Sequence, residues 1–317
     1  MLPYFVIPLF LVVDLPSPPY SDIWSTEYTF QVHLSTTTFL YVQESKKISS
    51  DFYSSGTMPS VKSMKNKYVL MIELKCRNYE KNALFCYKGM QEQYHPIEGR
   101  NLVNISDLYQ NTIFQVKFSK SGATGYAIEQ SDDKIMNFML NLYRFFGSQL
   151  SIGAKTTFHK DRTFWKLEES VLGSCFTHFV IRHQPNIKYN KHVLGENVTL
   201  SLNGYSFEND ETILISKERN MQRCYNSFNY MFGNSYWSEL LPDNTDEELI
   251  FSQSDMLLSK YNFESKTRNV FNLYDRNMEI IGGAIEDVEV ELKSILPMKN
   301  DKRRIFIKPF LAGVIAT

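Results

Sequence analysis

Strict alternation of apolar and polar positions is the commonest pattern in this sequence. Tyr28, Phe30, Val32 and Leu34 would share one face of a strand, with Thr29, Gln31 and His33 on the other, as a half-buried strand requires. The same period of two predicts strands over 68–74, 113–118, 176–181, 198–202, 212–216, 256–261 and 288–292. Polar stretches such as 119–125 and 203–211 separate them. Many short strands at this spacing predict an antiparallel sandwich or barrel. One segment follows a different period. After Ser131-Asp132-Asp133, which suits a helix N-cap with an acidic first turn, Ile135, Phe138, Met139, Leu142, Phe145 and Phe146 recur at helical spacing until Gly147. Met136, Leu140 and Tyr143 widen the stripe, so a helix reaching Leu150 should be wet on a narrow face only. About 18 residues of helix span about 27 Å. The expected fold is therefore mainly β, an antiparallel barrel-like sheet wrapped around one central, buried α-helix. A helix lying across one face of an open sheet is the alternative.

The N-terminus carries its own signal. Leu2 to Val13 is almost unbroken apolar sequence, followed by a Pro-Ser-rich stretch ending at Ser21. It is shorter than the roughly 20 residues that span a bilayer core, and its length suits a signal peptide over residues 1–20. No Lys or Arg precedes Lys46, so the usual basic start is missing, and an apolar N-terminal strand is the competing reading. Asn104-Ile105-Ser106 and Asn197-Val198-Thr199 fit the N-glycosylation pattern. The four cysteines, Cys76, Cys86, Cys175 and Cys224, allow three pairings, and two bridges are the simplest outcome in an oxidising compartment. Their spacing lacks the close Cys or His pairs of a structural zinc site, so no metal is expected.

Composition narrows the function. A formal charge of -1 gives no global positive field for nucleic acid. An apolar fraction of 43% is too high for a disordered chain. Tyr and Phe, at 19 and 23, outnumber Gly and Pro, at 14 and 11, which favours strands over Ala-rich helices. No nucleophile elbow, phosphate loop, H-E-x-x-H or dinucleotide turn is present. The six histidines are scattered, and His178 and His183 would fall on opposite faces of one strand. Adjacent Glu168 and Glu169 would also point to opposite faces, so they make no acid–base dyad. No catalytic residue and no cofactor is expected.

Four segments carry a resemblance. Asn141-Leu142-Tyr143-Arg144 is followed by Ser148-Gln149-Leu150. Glu168, Ser170-Val171, Gly173, Cys175, Thr177 and Phe179 form an E-x-S-V-x-G-x-C-x-T-x-aromatic run. Ile215-Ser216-Lys217 leads through Asn220 to Cys224, and 251–295 alternates weakly up to Val288, Val290 and Leu292. In this order the segments resemble the N-terminal barrel module of the vitellogenin family of large lipid transfer proteins, over nearly all of Ser21 to Ile295. The resemblance implies a bridge between Cys175 and Cys224, and with it Cys76 to Cys86. It also implies structural roles for Asn141, Arg144, Glu168, Gly173 and Lys217. Asn141 and Arg144 are expected to hydrogen-bond sheet backbone from the helix, because buried polar groups need partners.

The domain reading is a signal peptide at 1–20, the barrel domain at 21–297, and a tail at 298–317 that is basic from Lys299 to Arg304 and then apolar. The resemblance implies a secreted glycoprotein of a lipid-transport family. In that family a helical arch and lipid-enclosing sheets follow the barrel, and this sequence has no counterpart of them. The expected action is surface recognition of a receptor, a lipoprotein or a lipid surface, without covalent chemistry. The alternative is an N-terminal docking and lid module of a full-length yolk lipid carrier. No nucleic acid and no transmembrane segment is expected.

Overall fold

A computed structural model describes residues 11–14, 26–41, 64–80, 83–94, 113–119, 122–128, 142–154, 158–170, 172–185, 199–202, 205–208, 211–225 and 245–297. The strands are β1 (Leu11–Asp14), β2 (Thr26–Leu40), β3 (Met64–Glu80), β4 (Ala83–Tyr94), β5 (Ile113–Ser119), β6 (Gly122–Ile128), β7 (Arg162–Ser170), β8 (Gly173–Pro185), β9 (Thr199–Leu202), β10 (Tyr205–Ser206), β11 (Glu211–Tyr225), β12 (Asp246–Ser259), β13 (Asn262–Tyr274) and β14 (Ile280–Pro297). One helix, α1, covers 142–149. Eleven strands form one antiparallel sheet in the order β6-β5-β4-β3-β2-β14-β13-β12-β11-β8-β7, while β1, β9 and β10 form a small second sheet. The middle of the large sheet joins its first and last strands, with Phe30 opposite Leu292 and Val32 opposite Val290.

Laid flat, eleven strands at 4.8 Å would be about 48 Å wide. Here β6 and β7, the two edges, lie beside each other. The sheet therefore curls, yet no ladder joins these edges and it is not closed. The mainly β, antiparallel sheet is as expected, but where a barrel-like closure was expected the sheet is open. Residues 142–154 lie against the inner sides of both edges instead: Tyr126 of β6 donates to the Arg144 carbonyl, and Glu168 of β7 packs on Gly153. Of the long helix expected up to Leu150, the part before 142 lies outside the described residues. The part seen, 142–149, is about 12 Å long.

Burial alternates along the strands as the sequence pattern requires. Tyr28, Phe30, Val32 and Leu34 are buried on the inner face, with Val288, Val290 and Leu292 beside them. α1 packs on this face. Tyr143 stacks on Phe114 of β5 at 3.6 Å between ring centroids, and Phe146 meets Phe30 of β2 edge-on at 5.4 Å. Such aromatic pairs contribute about 0.5–1.5 kcal/mol beyond their burial. Gly147 permits this approach, since a Cβ there would lie 2.8 Å from the Tyr126 ring. The last turn tightens, with Leu150 N donating to Gly147 O and Ser151 N to Ser148 O, the i to i+3 pattern common at helix ends.

The expected strands fall within or onto β2, β3, β5, β8, β9, β11, β12 and β14. Two expected polar connections differ from the structure: β6 begins at Gly122, inside 119–125, and β10 lies inside 203–211. Leu11–Asp14, within the segment read as a signal peptide, pairs with Leu202 to Thr199 of β9. The remainder of 1–20 and the whole tail lie outside the described residues.

Candidate functional site

A buried ion cluster sits on the inner face of the sheet. β7 and β8 form a hairpin that aligns Glu168 with Cys175, and β8 aligns with β11 through Lys217–Phe179 and Arg219–Thr177. Alternation then places Glu168, Lys217 and Arg219 on the inner face with Ile213 and Ile215, and all five are buried. Lys217 Nζ donates to Glu168 Oε1 at 2.8 Å and to the Ser151 carbonyl at 2.8 Å. Arg219 Nη2 donates to Oε1 at 3.1 Å, while Nε stands 3.0 Å from Oε2 as an ion contact off the hydrogen-bond direction. Thr177 Oγ1 donates to Oε2.

Two cations thus share one carboxylate. Burial alone would raise the Glu168 pKa, but the charges of Arg219 and Lys217 and their hydrogen bonds hold it below the ordinary carboxylate range. For Lys217 the balance goes the other way. Burial, with the Arg219 charge adding to it, outweighs Glu168 and pushes the ammonium down to about 8.

From Arg219 the hydrogen bonds run outward in one direction. Nη1 donates to Ser254 Oγ and Ser252 Oγ, each at 3.0 Å. Thr267 Oγ1 donates to Gln149 Oε1 at 2.8 Å, so in the 2.7 Å pair between Ser254 and Thr267 the serine is the donor. Ser252 Oγ donates to Asn269 Oδ1 at 2.8 Å. Ser265 Oγ also donates to Gln149 Oε1, so the helix's glutamine is anchored to β13 twice. Asn269 in turn hydrogen-bonds Glu286 of β14, whose carboxyl is pushed well above its usual range by burial and then by the nearby charge of Glu247, against the effect of Asn269. The network ties α1 and the 151–153 segment to strands β7, β8 and β11 through β14. Apart from Arg219 Nε, its buried donors have directed acceptors, so it specifies one arrangement of those elements.

The expected site residues divide into three groups. Glu168, Lys217, Cys175 and Cys224 are brought together, with Cys175–Cys224 bridged one strand away from Glu168; Cys76–Cys86 bridges β3 to β4. Gly173 opens β8 with φ 101°, a left-handed conformation that glycine adopts without strain. Arg144 lies apart in α1, half-buried, and it is its carbonyl that meets Tyr126. Asn141, Asn104 and Asn197 lie outside the described residues. Reasoning from sequence missed Arg219 and Gly153. Arg219 was detectable as a second polar residue in phase with Ile213, Ile215 and Lys217. Gly153 has φ 72°, and a Cβ there would come within 2.4 Å of Glu168 Cγ, so it seats the carboxylate.

A second polar cluster lies where the β7–β8 hairpin meets β10 and β11. His183 Nδ1 is 2.8 Å from Asp161 Oδ1 and Nε2 is 2.7 Å from the Phe158 carbonyl. Both neighbours are acceptors, so only the imidazolium, with two N–H groups, satisfies both. Glu211 Oε1 lies 3.6 Å from Nε2 and accepts from Tyr205, while Arg182, His159 and Glu208 are nearby. Burial opposes the charge. The hydrogen bonds to Asp161 and Phe158, with the charges of Glu211 and Asp161, outweigh it and raise the pKa above the ordinary histidine value. A raised folded pKa means stability fully present below the unfolded value of about 6.5 and lost as pH rises through the folded one. His183→Gln should therefore flatten the stability profile across that window, as read by denaturation midpoints from mildly acid to mildly alkaline pH. An unchanged slope would contradict the charged state.

Among the described residues, no group of three or more His, Cys, Asp or Glu is placed to hold a metal ion, and no helix is long and apolar enough to cross a membrane. A long antiparallel sheet carrying an inner helix, with an E/K/R cluster and a glycine-initiated cysteine strand, defines a recognisable class of β module. The chain matches the vitellogenin N-terminal domain over residues 25–274 and belongs to that family. Among solved structures, one described as lipid-protein interactions in lipovitellin superposes with a TM-score of 0.55 at 11% identity, over 90% of this chain. At that identity the likeness is one of fold. The chain spans 27% of the lipovitellin chain's length. The binding domain of botulinum neurotoxin DC in complex with SialylT, 10% identical over 91% of this chain and 87% of that one, has a TM-score of 0.09 and carries no argument. No curated protein matches the chain.

Proposed function

We propose that this protein is a secreted, vitellogenin-type member of the lipid-transport family that acts by surface recognition of a receptor, a lipoprotein or a lipid surface, and performs no covalent chemistry. The observation that carries this reading is the occupied inner face. α1 and the 151–153 segment touch the inner face of β2, β5, β11 and β13 through aromatic pairs and directed hydrogen bonds. A lipid-carrying chamber needs broad apolar faces left unfilled by protein. Here the working part is the outside of the molecule. The family membership and the lipovitellin-like fold support a role in lipid traffic. Residues 1–20 would act as the secretory signal, Asn104 and Asn197 as sugar attachment sites, and the two disulfides as staples suited to an oxidising compartment.

A second reading rests on the chain spanning only 27% of the lipovitellin chain. In it, the same module is the N-terminal docking and lid part of a longer carrier. Lipid extraction from the secreted protein tests the first reading. The expected content is no more than about one phospholipid per chain, since an occupied interior holds no pool of lipid. A larger stoichiometric load would overturn the filled interior. An in-frame continuation of the transcript past Thr317 into helical repeats would select the second reading.

A further inference from the structure

The outer face of the sheet is not uniform. Across its middle strands, outward positions carry opposed charges: Arg268 pairs with Asp287, Lys266 with Glu264 and Glu289, and Lys293 with Glu291. At the β7 edge this pattern stops. Trp165 and Leu167 point outward from β7, opposite His178 and Phe176 of β8. Trp165 stacks on Phe176 at 5.4 Å and on His178 at 4.7 Å between centroids. A bulge in β11 between Asn220 and Cys224 then sets Tyr225 opposite Ser174 and swings Arg223 over the Phe176 ring at 5.7 Å. Trp165, Leu167 and Tyr225 are 51%, 46% and 64% exposed, and they are three of the five large apolar side chains that stand exposed among the described residues. Scattered exposed apolar residues need no explanation, but a contiguous group does.

We infer that this face, built from Trp165, Leu167, Phe176 and Tyr225 with Arg223 at its rim, docks the protein onto a phospholipid surface. The inference rests on the surface-recognition reading above and names the surface and its partner. Size argues for lipid over protein. Three strands at 4.8 Å and three rows of side chains cover on the order of 200 Å², against about 800 Å² per partner in a stable protein interface. A lipid interface sets no such minimum, because each apolar side chain that enters it contributes alone. The residue types agree. Trp and Tyr have an apolar ring with a polar tip that suits the headgroup boundary, and the Trp165 ring is held in place by stacking on Phe176 and His178, so little is lost in ordering it. Charge agrees as well. Arg223 and Arg182 are exposed on this face and Lys166 on the β7 edge strand, against Glu218 across from His178 and Glu169 opposite Ser174, which leaves an excess of one positive charge. That rim favours phosphate-bearing headgroups and should strengthen binding to anionic ones.

Flotation of the full secreted chain with vesicles tests this, using phosphatidylcholine alone and phosphatidylcholine mixed with phosphatidylserine. Wild type should float with both and more strongly with the anionic mixture. Trp165→Ser/Leu167→Ser/Tyr225→Ser should lower partitioning about tenfold or more, because each buried apolar side chain adds its own contribution. Its melting temperature should be unchanged. If the triple variant does not fold, Tyr225→Ser, the most exposed single change, should still lower partitioning by about threefold. Equal partitioning of the variants and wild type sinks the patch but leaves the surface-recognition reading in place. Absence of wild-type binding to either vesicle sinks the patch and removes lipid surfaces from that reading. A concentration-dependent dimer in sedimentation that the triple variant abolishes would make a second copy of the chain the occupant and overturn the inference.

Discussion

Glu168→Ala is expected to lower the unfolding free energy by about 3–5 kcal/mol, a large fraction of the roughly 5–15 kcal/mol typical of folded proteins. The change strips the carboxylate from two buried cations at once. Lys217, already pushed down to about 8, can shed its proton in response, but Arg219 cannot. Lys217→Met should cost less, because it leaves Glu168 and Arg219 as a one-to-one pair and chiefly orphans the Ser151 carbonyl, worth about 1–3 kcal/mol. The order of the two variants in chemical denaturation is the test, and an equal or reversed order would refute the two-on-one arrangement. The pH dependence adds a second check. With a folded pKa of about 8 against an unfolded value of about 10.4 for lysine, the unfolded chain binds more protons between them. Stability from this group therefore rises with pH through that window, and Lys217→Met should remove the rise. Glu168 contributes the opposite flank. Its lowered pKa gives stability that is present above the unfolded value and lost as pH falls through the folded one.

Removing the Cys175–Cys224 bridge by a paired Cys→Ser change should be the second large effect. The bridged residues are 49 apart in sequence, against 10 for Cys76–Cys86. By loop entropy, the first bridge is worth about 4 kcal/mol and the second about 3 kcal/mol. Paired replacement avoids leaving a reactive thiol. The long bridge also fixes β11 to β8 on the far side of its bulge, next to the strand that carries Glu168. Its loss should be felt in the ion cluster as well as in the unfolded chain, so the measured gap between the two double variants should be at least the entropic one. Equal denaturation midpoints would contradict the ordering.

The strands legible in the sequence are those whose inner face is apolar. β2 and β14 alternate cleanly, and both have buried inner positions throughout their middle. β13 was hidden because its inner face reads Phe263, Ser265, Thr267, Asn269 and Phe271, and the polar three are buried only through partners on other strands and on α1. Periodicity counts apolar residues, and it has no means of recognising a polar side chain whose partner lies more than a hundred residues away. β6 was hidden by its glycines at 122 and 125, which look like a turn in isolation. Glu168, Gly173, Lys217 and the cysteines were visible through a family signature. The physical reason for the first three emerged only when the strands were assembled: the glutamate and lysine neutralise each other and the glycine turns the hairpin between them. Arg219 completes that set. The openness of the sheet was legible only as the alternative reading, since nothing in β6 or β7 taken alone says whether two neighbouring edges will pair.

The pairing of β2 with β14 bears on how the protein is made. A ribosome releases residues 26–40 long before residues 280–297 exist, so the nascent chain carries two long, hydrogen-bond-hungry edges, on β2 and later on β13, with nothing to cover them. Meander hairpins on either side can form early, but the seam that unites them closes only after residues 280–297 have been synthesised, a topology that folds slowly. Chaperone attendance during translation, more than the final stability of the product, should therefore set how much folded protein a cell can make.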